Sequence, residues 1–555
     1  MPTACLLACL LLGAAKPADP VAPLKPLVPA DAAVVFVLRD LGPALKRLAE
    51  SPMAAWFRAS PLLGKLLDPK DAENLAAARD LFTTQLGVSA EELRDGIFGQ
   101  AVVYAFHPAE PGKPETEFTT LLIRPRDQAV LKRLGERLEK LQVASGELVA
   151  TRPREYGGVT YSVRERAGKP DEFACLTGGI LVLSGREAVV RGVIDRLHAP
   201  QEPSDGTLPK WLALDDGRST VAVIFNPRAF DAVWASAGTD EGSRAFNANF
   251  AKLWAALDGL CFGVRADAGL TVEVSAAVAP ARLPPEWAAL LAAPAAKPMP
   301  PVAPADALLA VRGRVHLQQL LDVATPFFPD GGKALRAQLD DLAAPVVGRD
   351  EWPAVLAKLG PDFTFFVRPS DTAATLEAAF TVRLGPTAAD ALKLAPPVRQ
   401  ALDAAAQLWR VRHNRAGADQ LTIRTHAHGA TVEGKAAFPA GFTPTYRVDA
   451  EAGTAVVATT PALVTAKPTA AADPPTLRID VAGWHALLRD RGPAVAKSLA
   501  AIENRPAADI EKELGDLLPL LSAFNAIEVR LSRAGNRVAA TATVEFVKPL
   551  VSPTR

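Results

Sequence analysis

Hydrophobic and polar positions along this chain fall into short alternating runs followed by stretches of helical spacing, and the same succession occurs twice. Pro29-Ala30-Asp31-Ala32 precedes the run VVFVLRD, and Pro304-Ala305-Asp306-Ala307 precedes LLAVRGR. The proline fixes the entry dihedral, the aspartate can close an Asx-turn on its own backbone, and the apolar run then pairs in a sheet. Amphipathic stretches come next, LGPALKRLAE in one half and HLQQLLDVA in the other. Leu86-Gly87 and the strand GQAVVYAFHP are answered by Leu359-Gly360 and PDFTFFVRP, and EFTTLLIRP is answered by LEAAFTVRL. Helical spacing follows in both: DQAVLKRLGERLEKLQ sets Val130, Leu131, Leu134, Leu138 and Leu141 on one face, and TAADALKLAPPVRQALDAAAQLW takes its place in the second half.

Each half then has a hairpin-rich stretch, a strand running into a capped helix, and a closing unit. Ser184 and Glu187 have the spacing of a capping box, and Thr460 precedes Pro461 at a first helical position. The closing units STVAVIFNPRAFDAVW and PTLRIDVAGWHALL each read as strand then helix, and the hairpins after them turn at Ala268-Gly269 and Ala534-Gly535. This pattern predicts an α+β protein of two divergent tandem copies, residues 27–280 and 303–547, each a largely antiparallel sheet partly covered by helices. Proline-rich residues 281–302 read as a linker with one short helical turn, because such proline density cannot sit within a sheet. Residues 548–555 are a tail.

Length and composition adjust this picture only slightly. A chain of 555 residues exceeds what one hydrophobic core supports, and 49% hydrophobic with 22% charged residues is an ordinary globular balance. Lys plus Arg and Asp plus Glu are 61 each, so no basic field exists to gather nucleic acid. The opening MPTACLLACLLLGAA has the apolar run and small-residue end of a signal peptide, residues 1–15, although no Lys or Arg precedes the run. A Pro/Ala-rich arm, 16–26, follows it. Leu6-Leu7-Ala8-Cys9 lies too near the start for a lipoprotein box, and no later stretch has the twenty or so apolar residues of a membrane span. The expected location is therefore the periplasm or the cell exterior.

The Pro-Ala-Asp opening strand, the Tyr156-Gly-Gly-Val-Thr-Tyr161 strand and a strand running into a Ser-capped helix together resemble a family of uncharacterised exported bacterial proteins. The second half departs from that pattern, because LWRVRHNRAGADQLTIRTHAHG has no tyrosine motif. What the resemblance implies is an extracytoplasmic place and a domain of unknown function, with no catalytic residues to carry over.

Chemistry is sparse. No phosphate-cradling loop occurs; Gly157-Gly158, Gly178-Gly179 and Gly331-Gly332 read as turns, and no Gly-x-Ser-x-Gly elbow exists. For metal, His426 and His428 would share one strand face at a period of two, with His413 on the preceding hairpin arm as a third candidate. Two ligands are too few, and an exposed strand explains the pair as simply, so neither metal nor cofactor is assigned. Asp215-Asp216, Asp340-Asp341 and Asp350-Glu351 sit beside turns or helix ends, where solvated acids belong. Asp31 and Asp306 are the repeated acids, with Pro29 and Pro304, and read as turn residues. Cys175 and Cys261 in apolar strands are either two small buried residues or one bridge. Trp56, Trp234, Trp254 and Trp484 fall within helical or closing-unit patterns and read as core. The reading is a non-catalytic exported protein that binds or scaffolds an envelope protein or glycan. Its rivals are an envelope hydrolase using carboxylates or a histidine metal site, and a carrier of apolar ligands.

Overall fold

The structure, a computed structural model, describes residues 19–547 except 52–53, 56–76, 78–81, 111, 199–208, 232–240, 267–268, 293–302, 329–331, 349–351, 371–375, 417–419, 435–441, 466–475 and 504. The signal peptide, the tail, part of the linker, Ala268, Gly331, Trp56, Trp234 and the pair Asp350-Glu351 lie outside the described residues.

The first ten strands are β1 (Val34–Arg39), β2 (Ala101–His107), β3 (Phe118–Arg124), β4 (Leu148–Tyr156), β5 (Val159–Arg166), β6 (Glu172–Thr177), β7 (Ile180–Ser184), β8 (Val221–Phe225), β9 (Leu257–Ala266) and β10 (Gly269–Val278). The second ten are β11 (Leu309–Arg314), β12 (Leu359–Pro369), β13 (Leu376–Leu384), β14 (Thr422–His426), β15 (Gly429–Glu433), β16 (Thr445–Asp449), β17 (Thr454–Ala458), β18 (Leu477–Asp480), β19 (Phe524–Ala534) and β20 (Arg537–Phe546). Their pairings form one open antiparallel sheet, β4-β5-β6-β7-β3-β2-β1-β8-β9-β10-β20-β19-β18-β11-β12-β13-β17-β16-β15-β14. Read outward from the centre, the second ten strands follow the order of the first ten. Where the sequence predicts a sheet in each half, β10 pairs with β20 over their length, so the sheet is continuous. Each closing hairpin leaves one strand edge of unpaired N–H and C=O groups, and the other hairpin satisfies it. Around that pair the register is symmetric: Leu270 opposes Val544, Ala276 opposes Val538, and Glu273 opposes Thr541 at the centre.

Helices pack on both faces. Val35, Val37, Val103, Leu122, Val182 and Ile224 point to one face and are sealed by Val190, Val193 and Ile194 of the helix Glu187–His198. Val21 and Leu24 are fully buried in the same cluster. That corrects the sequence reading of residues 16–26 as an arm outside the first half: its described part belongs to the core, where burying such a side chain contributes about 1.5–3 kcal/mol. In the second half the larger cluster lies on the opposite face, where Val382 and Leu384 meet Leu394, Ala395 and Val398 of the helix Ala388–Ala416. The helix Gln128–Ala144 packs on that face too, capped by Asp127, whose carboxylate accepts from the N–H groups of Ala129 and Val130. Only its first turns are covered: Val130 and Leu131 are buried, whereas Leu138 and Leu141, predicted on the same apolar face, are exposed. The predicted helical turn within the linker is the helix Pro285–Leu291. Among the described residues no helix is long and apolar enough to cross a membrane.

Candidate functional site

Directly opposed residues on neighbouring strands share a face, so the register identifies what each side of the central strands presents. On the side of Phe36, one row runs Tyr104, Phe36, Val223, Phe262, Val274, Ala540, Leu531 across seven strands, β2 to β19. Beside it a second runs Val264, Val272, Ala542, Val529, Leu477, Val311, Phe365, from β9 to β12. The symmetric register about β10 and β20 exchanges these two rows. Flanking them are Phe106, Val34, Phe225, Leu260, Ala276, Val538 and Arg533 on one side, and Val367, Leu309, Ile479, Ile527, Val544, Leu270 and Ala266 on the other. Apart from the hydroxyl of Tyr104 and the guanidinium of Arg533, all four rows are apolar.

An apolar sheet face under helices is ordinary core; exposure distinguishes this one. Tyr104 is 41% exposed, Phe36 44%, Phe262 41% and Leu531 62%, and Val264, Val272 and Val274 are also exposed. Each row of seven strands spans about 29 Å, and the exposed residues lie in the two middle rows, whereas the flanking Leu260, Ala276 and Val538 are half-buried in a cluster with Trp254 and Leu283. Leu45 on the helix Leu41–Glu50, which packs on β9, and Phe246 on the helix Glu241–Ala255 are exposed as well. Phe246 belongs to an aromatic cluster joining the two halves: it lies 5.5 Å from Phe327 and 6.0 Å from Phe250, while Trp287 lies 6.3 Å from Phe327 and Trp254 6.0 Å from Phe250.

The opposite face of β1 and β8 is the buried core of Val35, Val37, Ala222 and Ile224, and a polar network lies beside it. Arg39, the last residue of β1, is buried against two carboxylates: its Nε donates to Asp19 at 2.7 Å and its Nη2 to Asp215. Lys25 Nζ donates to the Asp215 carbonyl at 2.7 Å and lies 2.9 Å from its carboxylate. Burial alone would raise the Asp19 carboxyl, but the hydrogen bond and charge of Arg39 outweigh it and hold Asp19 below the usual range. Next to this network, Asp215, Ser219, Cys261, Glu273, Ser275 and Arg537 line a cleft of about 10 Å³, room for about one water. Arg537 of β20 reaches Glu273 of β10 at 2.7 Å, tying the halves across their junction. Burial, with the Asp215 charge second, pushes the Cys261 thiol up to about 12, which disqualifies it as a nucleophile. Arg314, in the same place on β11 as Arg39 on β1, lies 3.9 Å from buried Asp362, which Arg383 approaches at 3.1 Å.

The repeated acids stand where the turns were expected but bond differently. Pro29 C=O accepts from Ala32 N–H at 3.2 Å and Pro304 C=O from Ala307 at 3.1 Å, so both motifs are β-turns. Asp31 and Asp306 reach across to the ends of β2 and β12 instead of closing Asx-turns: Asp31 lies 3.2 Å from His107 Nδ1, and Asp306 lies 3.7 Å from Arg368. His426 and His428 do not share a strand face. β14 ends at His426 and Ala427-His428 form the turn into β15, while His426 Nε2 bonds Thr431 Oγ1 at 2.7 Å. His413 lies in the helix Ala388–Ala416, not on a hairpin arm. Among the described residues no three His, Cys, Asp or Glu gather as metal ligands. Cys175 and Cys261 are buried free thiols on β6 and β9, strands that are not neighbours, so the bridge alternative is not what forms. Glu187 does not close a capping box on Ser184; its carboxylate receives Tyr161, Arg154 and Arg191, and these, the Tyr161 hydroxyl foremost, draw its pKa to about 2. A true capping box forms at Ser89 and Glu92, a Ser-x-x-Glu spacing the sequence also carries. Asp216 bonds Arg218 N–H at 3.0 Å in its turn, and Asp340 and Asp341 lie in the helix Lys333–Val347. Trp484 donates to the Leu308 carbonyl at 3.1 Å. The apolar face itself escapes sequence reading: alternation marks each strand as two-sided, but only register lines its residues up across seven strands.

No protein-family model, no curated protein and no solved structure matches the chain.

Proposed function

We propose that this chain is an exported, non-catalytic binding protein of the cell envelope, and that its binding surface is the apolar face around Phe36 and Phe262. One observation carries the reading: apolar rows cross seven strands in register on a face whose central residues are open to solvent. Leaving such a surface in water costs about 25 cal/mol per Å² that a partner would recover. A glycan fits it poorly, since sugar hydroxyls would lose water and gain no hydrogen bonds along those rows. A partner presenting apolar surface fits well. The export half of the proposal rests on the opening MPTACLLACLLLGAA.

We further read the two halves as divergent copies. The strand order, the turn acids Asp31 and Asp306 paired to the ends of β2 and β12, and the inward arginines Arg39 and Arg314 at the ends of β1 and β11 all support that reading. Duplication accounts for a face that is symmetric about β10 and β20.

The test is binding of Nile red, a neutral dye that brightens in apolar surroundings, to the purified chain. Wild type should bind it, and Phe36→Asp combined with Phe262→Asp should weaken binding at least fivefold with the circular dichroism spectrum unchanged. Dye binding that is absent, or indifferent to the substitutions, would remove the basis of the proposal.

A further inference from the structure

The exposed row ends at Leu531, and the next residue on the same face of β19 is Arg533, about 6.8 Å further along the strand. Arg533 Nε donates to the Gly535 carbonyl at 3.2 Å, and among the described residues no carboxylate pairs with its guanidinium. The far end of the row, at Tyr104, carries no charge, and on the face beyond it stands Leu121. A row about 29 Å long, apolar but for the Tyr104 hydroxyl and with one unpaired cation beside its Leu531 end, has the polarity of a single-chain amphiphile. Resting on the apolar-face reading, we infer that the ligand is a long-chain fatty carboxylate, its chain along the row from Leu531 toward Tyr104 and its head on Arg533. The planar guanidinium presents parallel N–H donors that match the two carboxylate oxygens. The corresponding end of the second row has Ala266 in place of Arg533, with Arg47 of the helix Leu41–Glu50 donating to the Ala266 carbonyl at 3.2 Å. That makes Arg47 a natural control: a cation on the same face at the wrong end.

The test compares palmitate with hexadecanol, the neutral alcohol of the same chain length, as competitors for Nile red on the purified full chain. Palmitate is expected to bind at least tenfold more tightly than the alcohol. Arg533→Gln should lose that preference while leaving the alcohol unchanged, and Arg47→Gln should keep it. Affinity should also rise about fourfold per methylene from octanoate to myristate, the gain of burying one CH2. Equal binding of acid and alcohol to wild type would overturn the head-group assignment and leave the apolar face standing. Loss of the preference in Arg47→Gln in place of Arg533→Gln would overturn the orientation. Nile red binding that neither competitor displaces would overturn the fatty-carboxylate class alone, whereas failure of the dye as well would take the underlying reading with it.

Discussion

His107 closes β2 with its ring stacked on Phe118 at 4.0 Å and almost no contact with water. Its Nδ1 lies within ion-pair reach of Asp31, yet neither ring nitrogen makes a well-directed hydrogen bond. Burial therefore wins and holds the imidazole pKa below its usual value, against the pull of Asp31. The consequence for stability has a definite sign. In the unfolded chain the imidazole takes its proton near pH 6.5, while the folded chain resists until lower pH. The unfolded state thus binds more protons in that window, and stability falls as pH drops below about 6.5, with no loss above it. Melting temperature should decline between pH 7.5 and 5, and His107→Phe should flatten that decline; an unchanged slope would show that His107 does not titrate on unfolding. Glu187, with its pKa near 2, acts in a separate window, losing its stabilisation only below about pH 4.5. At this scale the sequence reveals Asp31 through repetition but not its partner. His107 is brought to it by the β1–β2 register, which pairs Val34 with Phe106, and no local pattern encodes that distance.

Hairpin turns are the best-read elements, whereas neither expected cap forms, the Thr460 hydroxyl being buried without a partner among the described residues. The Tyr156 to Tyr161 motif is a two-residue turn in which Gly157 and Gly158 both have positive φ, 55° and 74°, the type I′ geometry that matches strand twist. Gly178 and Gly179 repeat it between β6 and β7. The tyrosines anchor the hairpin to the helix Glu187–His198: Tyr156 donates to Asp195 at 3.1 Å, Arg191 lies 5.1 Å from the centre of its ring, and Tyr161 donates to Glu187. A Cβ on Gly158 meets nothing within 4 Å, so its cost is backbone strain alone. Gly158→Ala should lower stability by about 1–2 kcal/mol in urea unfolding, and Gly158→Asn by less, because Asn tolerates the left-handed region. Equal losses for the two would argue against this turn type. The capping box misplaced at Ser184 fails for the opposite reason. Glu187 has the right spacing, but Tyr161 and Arg154 of the packed hairpin and Arg191 one turn along the helix outcompete one local N–H. The histidine pair fails because a turn interrupts the strand between His426 and His428.

At the scale of the molecule, mixed helix and antiparallel sheet are legible in the periods, whereas the continuity of the sheet is not. VEVSAAV in β10 and VAATATV in β20 read as ordinary hairpin strands, and nothing local says that their outer edges meet. The apolar face depends on that meeting, since its rows cross the junction. Produced separately, residues 19–280 and 303–547 should each self-associate through the bared edge, and mixing them during refolding should give a one-to-one complex by light scattering. Two soluble monomers that ignore each other would mean that β10 and β20 do not need one another. The β10–β20 pairing also places a clock in the biogenesis of the chain. When Val278 leaves the ribosome, the strand that will cover β10 is roughly 270 residues away, about 13–50 s at ordinary rates of synthesis. For that interval the nascent first half has a sticky border with no owner. Thr271, Glu273 and Ser275 interrupt the apolar run of that border, and polar or charged interruptions of this kind lower a strand's tendency to aggregate.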